Sequence, residues 1–264
     1  MGPPALGYVA AGALVGAMVG LTGVGGGSLM TPLLLLLFGQ SPAVAVGTDL
    51  IFSATTKVVA TASFGYSKRI DWPIVRRLAI GSLPGMIAVL VWFWLNRQSP
   101  ETINRAIPGL LGTMLAATAV CLLFYDPIQR WTLRSRVAWW VALEPWKPLL
   151  TVIVGVFVGA SVTLTSIGAG ALGTVALFCL YPRRLPPDRL VATDIAHALP
   201  VTVCAGIAHA SLGHLNSALL GWLLLGSIPT VLIASRLTLR IPGGWVRACI
   251  ALMLVITSFH LLAR

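Results

Sequence analysis

Gly20-Leu-Thr-Gly-Val-Gly-Gly-Gly-Ser28 interrupts an apolar run that begins at Ala5, with four glycines between residues 23 and 27. Each glycine costs a helix about 1 kcal/mol relative to alanine, so a cluster of them at membrane depth marks backbone that leaves the helix and frees its N–H groups. The stretch that follows, Ser28 to Phe38, is too short to cross a bilayer, and Ser28 occupies the place of an N-cap. The expectation is a half-helix. Its N-terminus carries about half a positive charge and several unpaired donors, which makes an anion site where it points into a protein cavity.

The stretch recurs. Thr165-Ser-Ile-Gly-Ala-Gly-Ala-Leu172 aligns with Thr22-Gly-Val-Gly-Gly-Gly-Ser-Leu29 at an offset of 143 residues, Thr193-Asp194 repeats Thr48-Asp49 at 145, and Gly226-Ser-Ile-Pro229 repeats Gly81-Ser-Leu-Pro84 at 145. Three matches at nearly one offset indicate two homologous halves. Paired broken segments at corresponding positions are the sequence pointer to a transporter's binding site.

With 57% hydrophobic and 9% charged residues and a mean hydropathy of +0.92, the chain is an integral membrane protein, since soluble domains carry about 25% charged residues. The net charge of +11 would suggest nucleic acid in a soluble chain, but here the basic residues lie between apolar runs, as orientation signals do. No nucleic-acid partner is expected. Cys121, Cys179, Cys204 and Cys249 are dispersed without metal or disulfide spacing, and no cofactor is implied.

Six full crossings are expected near 43–64, 74–95, 104–124, 187–209, 216–235 and 244–263. The units 5–38 and 148–180 each comprise a longer arm, the glycine break and a short arm, either as a re-entrant hairpin or as a full span with a half-helix. The fold class is thus all-α and polytopic. Residues 1–125 and 148–264 are two transmembrane repeats, and 126–147, with its four tryptophans, is an amphipathic cytoplasmic linker. If each hairpin unit returns the chain to its side of entry, fourteen basic residues fall on one side and Arg97, Arg105 and Arg264 on the other. The positive-inside rule then puts both termini outside and makes the second repeat inverted, so that the two breaks meet near the midplane.

Apart from the charged and histidine residues toward their ends (Arg76, Arg77, Arg105, Asp188, Arg189, Arg247 and His260), the expected spans carry Asp49, Lys57, Asp194, His197 and His209. Such groups are costly at membrane depth and mark function by default. Each aspartate either hydrogen-bonds the neighbouring break or couples transport to a proton or cation. Asp194 and His197, spaced i, i+3, are placed to touch. Lys57 corresponds to Thr202 at the repeat offset, so the duplication does not require a base there; it contacts substrate or snorkels to the interface. His209 reads as interfacial, and Pro84 and Pro229 as kinks early in their helices. No nucleophile motif, phosphate loop or metal-ligand cluster is present in the sequence, so an enzyme is not expected.

At Gly20–Ser28, Val46-Gly-Thr-Asp-Leu50 and Ile70-Asp-Trp72, with Thr165–Gly170 and Thr193-Asp-Ile-Ala-His197 in the second half, the chain resembles the TauE/SafE family of sulfite exporters, also called the 4-toluene sulfonate uptake permease family. The resemblance covers nearly the whole chain and departs from many relatives in having Asp49 after Thr48. It implies a permease of a bacterial-type inner membrane for small sulfur-containing anions such as sulfonates or sulfite. A sulfonate suits two opposed half-helix N-termini with Thr22, Gly25, Gly26, Gly27, Ser28, Thr165, Ser166, Gly168, Gly170 and Lys57. The rival reading is a proton-coupled cation or metal transporter using Asp49, Asp194 and His197.

Overall fold

Long apolar runs fold as helices because backbone groups in hydrocarbon must be satisfied within their own segment. The computed structural model describes all residues except 1–2, 23–26, 66–68, 97–99, 126, 128–143, 168–169, 183, 238–242 and 264. Among the described residues there are ten α-helices and no strand: α1 (Pro3–Thr22), α2 (Gly27–Leu36), α3 (Pro42–Gly65), α4 (Trp72–Leu95), α5 (Pro100–Leu123), α6 (Lys147–Thr165), α7 (Ala171–Leu180), α8 (Pro187–Ser211), α9 (Ser217–Leu237) and α10 (Gly243–Leu262). A 3-10 turn at Glu144–Trp146 leads into α6, with Glu144 ion-paired to Lys147. The rest of the linker lies outside the described residues.

All six expected crossings are helices of 20 to 25 residues. Helices within 72–95, 144–165, 189–211 and 217–234 are long and apolar enough to cross a membrane. The longer arms α1 and α6, of 20 and 19 residues, reach about 30 Å at 1.5 Å per residue, whereas α2 and α7, of 10 residues each, reach about half that. Each break therefore joins an arm of full bilayer length to a half-length one. Two sequence expectations shift. The helix α2 starts at Gly27, so Ser28 lies inside the first turn and is not its cap. Pro84 and Pro229 fall mid-helix in α4 and α9, not early.

The packing has the form of an exchange between halves. The first helix of one half lies against the fourth of the other, so that α1 packs on α9 and α6 on α4; the third helices α3 and α8 pair, as do the fifth, α5 and α10. Small residues make the first two seams. A methyl group added at Gly12 would overlap the Leu223 carbonyl, and one at Gly16 the Ser227 carbonyl; 143 residues on, Gly155 meets the Leu78 carbonyl and Gly159 that of Ser82. Because lipid tails are as apolar as leucine, helices in a membrane associate through such close backbone approach. Gly81 and Gly226 complete the seams from the opposing helices, against Val152 and Val9.

These seams are testable by stability alone. Gly12→Ala and Gly155→Ala should each lower the unfolding temperature of the detergent-purified protein, by similar amounts. Gly221→Ala, where nothing lies within 4 Å of the added methyl, should be neutral or stabilising by up to about 1 kcal/mol through helix propensity. Equal unfolding temperatures for all three would contradict the seam.

Candidate binding site

Each half-helix is pinned one turn into its length by a threonine. Thr31 of α2 donates to Asp49 Oδ2 at 2.5 Å, and Thr174 of α7, its equivalent at an offset of 143, donates to Asp194 Oδ2 at 3.3 Å. Both aspartates are buried, at 0% and 2% exposure. The threonine before each aspartate points elsewhere. Thr48 Oγ1 accepts from the Asn216 N–H at 3.2 Å, and Thr193 Oγ1 from the Asp71 N–H at 3.1 Å. Asn216 and Asp71 in turn cap α9 and α4 by accepting from Leu219 N–H and Ile74 N–H. The Thr-Asp dipeptide thus joins a half-helix on one side to the start of a full span on the other, twice.

The two caps differ in charge. Asp71 receives a bidentate pair of hydrogen bonds from Arg184, at 2.8 and 3.0 Å, which holds the half-exposed guanidinium above its usual pKa range. Neutral Asn216 stands at the equivalent position. Beside it His214, pushed below the ordinary imidazole range by burial, has its Nδ1 3.4 Å from His209 Nδ1. His209 is fully buried, donates from Nε2 to the Thr163 carbonyl at 3.0 Å and meets the Phe93 ring edge-on. It ties α8 to the end of α6 and is packed against protein near the end of its helix.

Around the second break the backbone is strained. Ser166, which ends α6, has φ 58°, the one non-glycine residue with positive φ among those described, and Gly170 before α7 has φ 133°. A left-handed serine costs about 1–2 kcal/mol. Thr165 braces the turn, accepting from Ile167 N–H at 3.2 Å and donating to the Ser161 carbonyl at 2.7 Å. The N-cap residue of α7 is Gly170, which has no side chain to cap the helix. Gly25, Gly26 and Gly168 lie outside the described residues, and Thr22, Gly27 and Ser28 are placed as helix backbone only.

Lys57, 1% exposed, lies within electrostatic reach of Asp49, Asp194 and His197. Ser166 stands next to Asp49 without meeting the geometry of a hydrogen bond. Among the described residues, five buried side-chain atoms have no hydrogen-bond partner. Four belong here: Lys57 Nζ, Ser166 Oγ, Asp194 Oδ1 and His197 Nδ1; the fifth is Arg189 Nε. Unmade hydrogen bonds of buried polar groups are expensive, and so many in one place mark a site built for something else. His197 bonds through Nε2 to Ser82 Oγ at 2.9 Å and not to Asp194, so the i, i+3 pairing expected from sequence is absent. Ser82 itself went unsuspected as a partner, although it belongs to the repeated Gly-Ser-x-Pro motif.

The family described as sulfite exporter TauE/SafE matches residues 8–261. The chain belongs to the TauE/SafE family. It is 39% identical over 257 residues, 95% of this chain and 97% of the relative, to the probable membrane transporter protein YjnA of Bacillus subtilis (strain 168). It is also 29% identical over 119 residues, 44% of this chain and 40% of the relative, to the probable membrane transporter protein YunE of the same organism. No solved structure matches it. As a TauE/SafE member of this helical make-up, the chain is a multi-pass membrane transporter.

The donor geometry separates the two aspartates. Asp49 accepts from Thr31 and, on Oδ1, from Ser53 at 3.1 Å, whereas Asp194 has one long hydrogen bond. Asp49→Ala strands two buried hydroxyls and should cost about 1–3 kcal/mol for each. Asp194→Ala should cost less. Thermal unfolding of the two variants checks the order, and a larger loss for Asp194→Ala would contradict it.

Proposed function

We propose that this transporter is a permease for small sulfur-containing anions such as sulfonates or sulfite, which bind between the two half-helix N-termini. The observation that carries the reading is Lys57, an ammonium buried to 1% exposure, with no hydrogen-bond partner among the described residues, in a membrane-embedded polar cluster. On insertion scales a charge at membrane depth costs at least about 2.5 kcal/mol, so the lysine is retained for something that pairs with it. A sulfonate supplies three acceptor oxygens and one negative charge. Lys57 binds the charge, the uncapped first turn of α7 and the Ser166 hydroxyl bind oxygens, and Thr165 holds the turn that presents them. The family's own description as a sulfite exporter agrees with this ligand class.

In this reading the halves are inverted in the membrane, with both termini outside, the breaks entering from opposite faces, and the basic connections in the cytoplasm of a bacterial-type cell. The reciprocal packing of α1 on α9 and α6 on α4 supports a two-fold relation between them. The occupants are an anion and the surrounding lipid, with no cofactor. For the metal-transport reading, no three His, Cys, Asp or Glu side chains converge as ligands among the described residues.

Titration of purified protein with methanesulfonate and sulfite, followed by thermal shift, tests the assignment. Lys57→Ala should weaken binding by more than about tenfold, because the anion loses its buried counter-charge. Lys57→Arg should retain part of the affinity, keeping charge but changing shape, and Lys57→Thr, which copies the second half of the repeat, should behave as alanine. Unchanged affinity in Lys57→Ala would remove the residue from the site.

A further inference from the structure

Asp49 and Asp194 are equivalent by the repeat, yet their carboxylates are not served alike. Both oxygens of Asp49 receive hydroxyl donors, from Thr31 and Ser53, which favour the ionised form. Asp194 Oδ2 receives one donor at 3.3 Å, and its Oδ1 is buried with no partner. The reason is a single divergence. Ser53 lies four residues after Asp49, and the residue four after Asp194 is Ala198.

Among the described residues, the surroundings of Asp194 supply one cation. From α3 come Lys57 and Asp49; from α7 comes the Thr174 hydroxyl, with Cys179 at the far end of that helix; from α6 comes Ser166, its Lys147 being at the first residue and paired to Glu144. On α4, Ser82 is engaged by His197, and the ionisable Asp71, Arg76 and Arg77 lie at the start of the helix, Asp71 being held by Arg184. His197 shares α8 with Asp194 and keeps an unpartnered Nδ1. One ammonium thus faces two carboxylates. An anion arriving beside it would make three negative charges around buried Lys57, and buried charge without compensation is not tolerated.

We propose that Asp194 is the proton carrier of the anion cycle: a proton binds Oδ1 from the water on the side where the anion enters and leaves from the same oxygen to the water on the other side. Asp49 stays ionised as the anchor of α2, its two oxygens held by Thr31 and Ser53. The proton adds one positive charge for the one negative charge that a sulfonate brings, so the loaded site holds the same net charge as the empty, deprotonated one, and transport is electroneutral, one proton with one monovalent anion. This rests on the anion reading above.

The full-length protein reconstituted in liposomes with an internal pH dye tests it, with methanesulfonate as probe because a strong-acid anion brings no proton of its own. Wild type should acidify the lumen during uptake, accumulate the anion about tenfold per unit of inside-alkaline gradient, and ignore an imposed membrane potential. Asp194→Asn should lose accumulation on the pH gradient and respond to potential instead. Ala198→Ser restores the hydroxyl that Ser53 gives Asp49, so the pH of half-maximal uptake should fall by roughly half a unit or more. Ala198→Ser decides the matter should Asp194→Asn not fold. Accumulation by Asp194→Asn equal to wild type, or a pH profile of Ala198→Ser coincident with wild type, would overturn the assignment. Uptake by wild type without lumenal acidification would overturn it while leaving an anion permease standing; failure of wild type to bind or move methanesulfonate, sulfite or any other sulfonate would overturn the anion reading itself.

Discussion

A helix that ends halfway through hydrocarbon has N–H groups with neither water nor a next turn to receive them, so it survives only where protein encloses it. Two helices of about half bilayer length, α2 and α7, set the terms for the rest of this molecule. Each is too short to hold itself in place and is fixed by one hydroxyl, Thr31 or Thr174, to an aspartate on the long helix that follows. The neighbouring threonines, Thr48 and Thr193, fasten the same long helices to the caps of α9 and α4. Four polar side chains of two duplicated dipeptides thus connect both breaks to both halves. Around them the glycine seams bring α1 against α9 and α6 against α4 closely enough to leave no room for lipid.

The scaffold obeys the duplication and the chemistry departs from it. Thr31 and Thr174, Thr48 and Thr193, Asp71 and Asn216, Gly12 and Gly155 all do the same work in the two halves. Where the copies differ, unsatisfied polar atoms collect: Lys57 against Thr202, His197 against Phe52, Ser166 against Gly23, and Asp194, which lacks the serine that attends Asp49. Ser166 adds backbone strain to the list, since a glycine at that position would adopt positive φ freely. The frame is duplicated and its polar contents are not.

The helices were legible because length and hydropathy are enough to place an apolar span, and the break was legible because glycine does in a membrane what it does anywhere. The polar contacts were harder. A helical spacing of i, i+3 made Asp194 and His197 look like partners, but their rings and carboxylate turn to other helices, and direction around the helix depends on neighbours that sequence spacing does not name. The place of His209 near a turn likewise does not name Thr163 and Phe93, against which it is buried. The small-residue seams carried a readable signal that went unused: Gly12 and Gly16 share a helix face and recur as Gly155 and Gly159 at the same offset as the break.

The exchanged packing also sets a timetable. Helices α1 and α4 present their seams to α9 and α6, elements of the other half, so neither half contains the partner of its own first or fourth helix. Synthesis inherits the same dependence. Gly12 leaves the ribosome roughly ten to forty seconds before Leu223 at typical bacterial elongation rates. During that interval α1 waits in the bilayer with its close-packing face against lipid, so final assembly of the first half is set by the arrival of the second.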